Sequence, residues 1–414
     1  MVNKVSGAVV NPGDTAWLLS ASSMVLFMTA PGLALFYGGL VRSKNVLSTA
    51  LHVLSAFAVA LILWILLGFS EAFGASIAGF VGNPFQYFGA YPTLLPKVWP
   101  GTHVPSLIYV GFQGVFAAIA TAIIASTIAE RGRIDAWMLF SALWVLLVYS
   151  VIAHWVWGGG WLASLGALDF AGGMVVHIAS GFSALALSFV IGKRKFCKGV
   201  EPLPHNIPLV LLGTGILWFG WLGFNAGSAV AANIDAANAW LATAAASAAG
   251  GLAWMFIAAR DSGGRFSSVA FASGVVAGLV AITPAAGYVD PISAMVIGAI
   301  AGIFSYYMVN FRVKKGWDET LDAWAVHGMS GLWGSIATGI FANPVVAGKA
   351  GLLFGNPWQL VPQIVGSVAS IVYAMVMTLI IAKFVDAVIG WRVPEQVEKV
   401  GLDLPELNEE AYVM

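Results

Sequence analysis

The chain has 414 residues, of which 59% are hydrophobic and only 9% charged, with a mean hydropathy of +0.87. A water-soluble domain of that composition would expose too much apolar surface, so soluble domains are excluded and a membrane protein is expected. Formal net charge is zero and no basic run interleaves with aromatics, which argues against a nucleic-acid partner. The lone cysteine, Cys197, leaves no intrachain disulfide, and residues 1–15 hold no apolar core of signal-peptide length, so no cleavage is expected.

About twenty apolar residues cross roughly 30 Å of hydrocarbon. Eleven stretches qualify in chain order, at 16–41, 46–70, 105–129, 135–157, 170–192, 207–231, 236–259, 266–286, 290–311, 321–341 and 358–387. The 48 glycines sit among alanines and serines inside these stretches, as where membrane helices approach closely. The fold class is therefore an all-α integral membrane protein of eleven transmembrane helices in one packed bundle.

Charge tests that reading independently, because cations concentrate in cytoplasmic loops. Arg42 and Lys44, Arg131 and Arg133, Lys193 to Lys195 with Lys198, Arg260 and Arg265, and Arg312 with Lys314 and Lys315 occupy alternate loops. Lys383, Arg392 and Lys399 follow on the same side, and of 19 cations only Lys4, Lys97 and Lys349 fall opposite. The expected orientation is N-terminus outside and C-terminus in the cytoplasm.

Spans five and ten carry similar segments, Val176 to Gly181 around His177 and Val326 to Gly331 around His327. Five spans per half force the second half to be inverted, the plan in which sites lie between repeats near the midplane. The repeats are about 16–192 and 207–341, and the eleventh span, 358–387, is long enough to tilt across the bundle. Residues 1–387 thus form the membrane domain. Residues 388–414 form a cytoplasmic tail rich in acids: Glu395, Glu398, Asp403, Glu406, Glu409 and Glu410.

Ionisable groups in hydrocarbon are costly and are functional candidates by default. His177 lies about seven residues into span five from outside and His327 about six into span ten from inside, so both reach roughly 9–10 Å deep at 1.5 Å per residue. Two imidazoles at one depth can share a hydrogen bond, one donating and one accepting, and burial opposes charging either. The competing readings are two satisfied core histidines, or a metal site, for which two histidines without further ligands are a poor set. Toward the outer side stand Phe112 and Phe116 one turn apart, Trp157, Trp221 and Phe224. Such rings attract small cations or form a hydrophobic plug, and singly they also suit core packing or an interfacial belt. Asp169 and Asp322 stand before spans five and ten, where carboxylates cap helix amides. Stabilising an outer cation site is the alternative for Asp169; Asp322 is expected to be structural.

The stretches Pro31-Gly32, Phe36 to Asn45, Ala153 to Gly160, Leu168 to Gly173 through His177, Gly220 to Ser228, and Asp322 to Gly328 follow in order. On these the chain resembles the ammonium transporter (Amt/MEP/Rh) family, of the bacterial and archaeal Amt type, from Asp14 to the tail. The resemblance implies an outer recruitment site of Phe112, Trp157 and Ser228 buttressed by Asp169, a phenyl gate of Phe116 and Phe224, and a pore lined by His177, His327 and Trp221. It implies a homotrimer in the cytoplasmic membrane with one pore per subunit, carrying ammonium or ammonia, with methylammonium as analogue. It also implies a PII-type regulatory protein at the inner face, and Val400 to Asp403 resembles the family's regulatory tail. No cofactor is expected. A sensor signalling through a separate cytoplasmic partner is the alternative, and Rh-type gas conduction a lesser one that Trp157 and Ser228 oppose. An enzyme is disfavoured because no nucleophile, metal set or cofactor motif accompanies the histidines.

Overall fold

The computed structural model describes residues 9–196 and 202–412; Lys4, Cys197 and Lys198, on which part of the sequence reading rests, lie outside them. The described chain is helical apart from isolated bridges and one short hairpin, Ser76–Ile77 (β1) with Val81–Gly82 (β2). The long helical segments are Pro12–Leu40 (α1), Ser43–Phe73 (α2), Ser106–Ile128 (α3), Ile134–Leu165 (α4), Gly173–Ile191 (α5), Ile207–Gly227 (α6), Ile234–Asp261 (α7), Ser268–Ile282 (α8) and Pro291–Lys315 (α9). Trp324–Met329 running into Ser330–Phe341 makes α10, and Pro357–Val388 is α11.

Among the described residues, nine of these are long and apolar enough to cross a membrane, against the eleven expected; α8 and α10 are the two outside that set. The reasons are local. The stretch expected at 266–286 yields a helix of 15 residues that ends before Thr283 and Pro284, where proline has no amide to continue the ladder. The stretch expected at 321–341 opens late because Asp322 adopts φ +62° just ahead of it. Each still lies where an apolar stretch was expected.

Five of these segments contain a π-helical turn, and the one in α1, Met28–Leu33, contains Pro31, whose missing amide disrupts the regular ladder. The turns in α5 and α10, Gly173–Ile178 and Trp324–Met329, carry His177 and His327. Burial places α3 and α5 at the centre, with 83% and 89% of their apolar windows inside the protein. Leu19, Phe27, Ile62, Phe219, Phe256 and Ile380 face outward, as lipid contact allows.

Helices α7, α8 and α9 meet nearly backbone to backbone. A Cβ on Gly298 of α9 would fall 2.0 Å from the Ala246 carbonyl oxygen, and one on Gly278 of α8 would fall 2.4 Å from the same atom. Without a hydrophobic drive between helices in lipid, such close approach supplies the dispersion contacts that hold them.

Beyond α11 the tail folds back on the helix ends. Arg133 N donates to the Trp391 carbonyl and Val393 N to that of Arg131. After the short helix Glu395–Val400 (α12), the Asp403 carboxylate accepts from Leu47 N and Ser48 N at 3.0 and 2.8 Å, capping α2 from 355 residues away. Asn45 joins this contact to the core, its amide oxygen taking Leu402 N and its amide nitrogen donating to Glu130. Glu130 is held by Arg42 and Arg194, each at 2.9 Å, and Arg194 reaches Asp318 at 2.8 Å. Burial alone would raise the Asp318 carboxyl, but Arg131 and Arg194 outweigh it and hold it down to about 2. Its stabilising contribution is therefore present above the ordinary aspartate value near ~4 and fades as pH falls toward about 2.

Replacing Gly298 by leucine should cost about 1–3 kcal/mol through overpacking. The expected result is a lower thermal midpoint in detergent; an unchanged midpoint would show that α7 and α9 can part at that crossing.

Candidate functional site

Two acids organise the helices that carry the histidines. Asp169 gathers four amides at the start of α5: Gly172 N and Gly173 N donate to Oδ1 at 2.8 and 2.6 Å, Met174 N and Val175 N to Oδ2 at 2.8 and 3.3 Å. The turn closes because Gly172 takes φ +114°, which a side chain would resist. Of the two roles open to Asp169, the geometry provides the cap directly, and its carbonyl also receives Trp157 Nε1 at 2.8 Å.

At α10 the capping acid is different from the one expected. Asp322 is gripped by Arg312, whose Nε donates to it at 2.6 Å, while Trp324 N donates to Glu319 Oε2 at 3.0 Å. Glu319 also accepts from the Ser126 hydroxyl at 2.7 Å. The positive φ of Asp322 explains the exchange, since it turns the chain so that the earlier acid faces the opening amide. Asp322 keeps a structural place, as an ion-pair partner tying α9 to α10.

The two histidine helices cross where a Cβ on Gly181 would lie 2.2 Å from Gly328 N, and one on Gly331 would lie 2.9 Å from the His177 Cβ. That proximity brings His177 Nδ1 to 3.3 Å from His327 Nδ1, with both rings buried. Such a contact requires one ring to donate and the other to accept. The indole of Trp221 lies flat against both, 5.2 Å and 20° from His177 and 6.3 Å and 16° from His327.

The remaining aromatics continue this row. Phe224 is 6.1 Å from His177 and stacks face to face on Phe116 at 3.9 Å and 7°. Phe112 follows at 4.7 Å from Phe116, and Trp157 stands edge-on to Phe116 at 6.3 Å. Ser228 Oγ donates to the Phe224 carbonyl at 2.9 Å, which commits its proton and leaves its lone pairs to accept. On the far side of the pair, His327 borders a cavity of about 290 Å³ with Tyr37, Trp254, Arg312 and Asp322 in its wall.

Every residue singled out from the sequence except Asp322 belongs to this row or touches it. Glu319, Arg312 and Thr283, whose hydroxyl accepts from Trp221 Nε1 at 2.8 Å, were missed. Glu319 had a legible signal, standing five residues before Trp324 much as Asp169 stands four before Gly173; the nearer Asp322 drew the assignment. Among the described residues no group of three or more His, Cys, Asp or Glu could hold a metal ion.

A helical bundle of membrane-crossing length, holding at its centre one row of rings that ends on two buried imidazoles beside a cavity, defines a polytopic membrane protein. The chain belongs to the Ammonium Transporter Family, whose sequence model matches residues 16–412. It is 49% identical to the ammonium transporter Amt1 of Archaeoglobus fulgidus over 97% of this chain and 100% of that one, and 48% identical to the ammonium transporter of Aquifex aeolicus over 98% and 95%. Among solved structures it is similar to Candida albicans Mep2, with a TM-score of 0.87, 36% identity and 94% and 87% of the two chains covered. A structure named Sensor Amt Protein matches with a TM-score of 0.88 and 31% identity over 95% and 98%. The curated relatives are ammonium transporters and not enzymes, and the protein is a multi-pass membrane protein.

Glu319→Ala should leave the Ser126 hydroxyl and the Trp324 amide unpaired, costing about 2–4 kcal/mol. Faster hydrogen exchange at the amides opening α10 is the accompanying sign; wild-type stability and exchange together would deny Glu319 the capping role.

Proposed function

We propose that the protein takes up ammonium across the cytoplasmic membrane along the row from Phe112 to His327. The observation that carries this reading is the contact sequence itself: an aromatic mouth with an acceptor-only hydroxyl, a closed phenyl stack, and two hydrogen-bonded imidazoles, in a chain of this family. Phe112, Trp157 and Ser228 recruit the cation, with Asp169 holding the Trp157 indole and the start of α5 in place. Phe116 and Phe224 are the gate; His177, His327 and Trp221 line the pore.

Ammonium and potassium are close in size, so a filter of fixed width does not separate them. Rings and a hydroxyl acceptor suit either cation weakly, but only ammonium can shed a proton before an apolar constriction that penalises retained charge. Ammonium gives up its proton near the Phe116 and Phe224 stack, either to water on the outer side or to the imidazole pair, which relays it, and ammonia crosses as a neutral solute hydrogen-bonded by the imidazoles.

The same reading takes eleven spans in two inverted five-helix repeats plus a tilted eleventh helix, with the N-terminus outside, the C-terminus in the cytoplasm, and three copies as the working unit. The tail, 388–414, is then the regulatory segment, and a PII-type protein at the inner face is its partner. Its docking through Asp403 and Glu398 on the inner loops supports that assignment. A sensor role is the second reading, favoured by the likeness to the Sensor Amt Protein.

Methylammonium uptake into proteoliposomes decides between the two, since a sensor alone gives background rates. Trp157→Ala should weaken outer-site cation affinity by about 0.5–2 kcal/mol, the scale of one cation–π contact, read as a rise in the half-saturating ammonium concentration. Replacing His177 and His327 together by alanine should preserve folding while altering flux or the discrimination against potassium in planar-bilayer currents. Unchanged transport in that variant returns the pair to core packing.

A further inference from the structure

Two residues that follow α8 hold both the start of the first histidine helix and the indole that faces the histidines. Thr283 is buried, and its hydroxyl donates to the Leu279 carbonyl at 2.8 Å. That bond uses its only proton, so the oxygen meets Trp221 Nε1 as an acceptor, also at 2.8 Å. The Thr283 carbonyl accepts from Ala171 N at 3.2 Å and the Pro284 carbonyl from Phe170 N at 3.1 Å, so the turn between Asp169 and Gly172 is pinned by the same dipeptide. The Pro284 ring closes the other side, since a Cβ on Gly173 would fall 2.6 Å from it.

The imidazoles need such an external reference. Among the described residues, His177 Nε2 is buried with no hydrogen-bond partner, and His177 Nδ1 meets only the equivalent atom of His327. The tilt of these rings is therefore set by one shared contact and by the flat surface of Trp221 against both. An indole without its Nε1 tether keeps its place in the core but loses the angle that aligns the two Nδ1 atoms.

We propose that Thr283 is a positioning residue for the pore, fixing the orientation of His177 and His327 through Trp221. It touches neither imidazole in this role and acts through the indole alone. The inference rests on the proposed path through the histidines and adds to it a residue that sets ring geometry.

The test compares wild type, Thr283→Val, Thr283→Ser, Trp221→Phe and the double variant Thr283→Val with Trp221→Phe, reconstituted at matched protein content under an ammonium gradient. Valine keeps the volume and removes the acceptor, serine keeps the acceptor, and phenylalanine keeps a ring and removes the donor. Thr283→Val and Trp221→Phe should each lower maximal flux by about tenfold, the scale of one buried hydrogen bond, with the half-saturating concentration unchanged because the outer site is intact. Serine should restore flux to within about twofold, and the double variant should be no slower than the slower single one, as for two ends of one interaction. Wild-type flux in Thr283→Val, an equal defect in Thr283→Ser, or multiplying defects in the double variant would each overturn the assignment. A wild-type protein that carries no ammonium overturns the transport reading itself, a different result from a wild type that transports beside a valine variant that is indifferent.

Discussion

The contact between His177 and His327 sets the conditions that the surrounding structure meets. Two imidazoles 3.3 Å apart inside a membrane protein need their helices closer than side chains ordinarily permit. Gly181 and Gly328 allow that approach, since a single added carbon on Gly181 would fall 2.2 Å from the facing backbone nitrogen. Helices brought so near must also begin at defined points, because one residue of slippage in either would turn its ring about 100° away. The starts are accordingly fixed by side-chain carboxyl groups: Asp169 collects four amides at α5, and Glu319 takes the opening amide of α10.

Buried carboxylates suit this task for an electrostatic reason. Amides at a helix N-terminus carry partial positive charge and no intrahelical acceptor, and a carboxylate offers several lone pairs with an opposite charge. A charge-assisted bond of this kind is also directional, so it sets rotation as well as register. The π-helical turns that follow, at Gly173–Ile178 and Trp324–Met329, widen the helix where each histidine projects. Cap, turn and glycine crossing thus act on the same pair of rings from different sides.

Much of this was legible in the sequence, and the physical kind of each feature explains which part. Hydropathy located the long helical segments because the lipid imposes length and apolarity on the chain itself. His177 and His327 stood out because an ionisable group in an apolar run is costly wherever it points. Thr283 was silent because a threonine near a helix end has many ordinary uses, and its bond to Trp221 joins residues 62 positions apart. Glu319 was passed over for Asp322, since sequence distance from the helix does not reveal that Asp322 takes a positive φ and turns toward Arg312. The shortfall of α8 reflects the same limit, as an apolar stretch continues past the proline at which the helix stops.

In the proposed function, selectivity follows from the order in which these parts meet a cation. The Phe116 and Phe224 rings lie 3.9 Å apart and nearly parallel, leaving no width for a hydrated ion between them. Whatever passes must first move the stack aside and shed its water, and the rings return little of the hydration energy that a charged species loses. A neutral species of the same diameter avoids most of that cost, and beyond the stack it meets nitrogen atoms able to accept or donate. On the proposed path, discrimination falls on the ability to lose a proton rather than on size. The proposed deprotonation then falls between the Ser228 acceptor and the first imidazole, along the contacts of Phe116 with Trp157 and of Phe224 with His177 and Trp221.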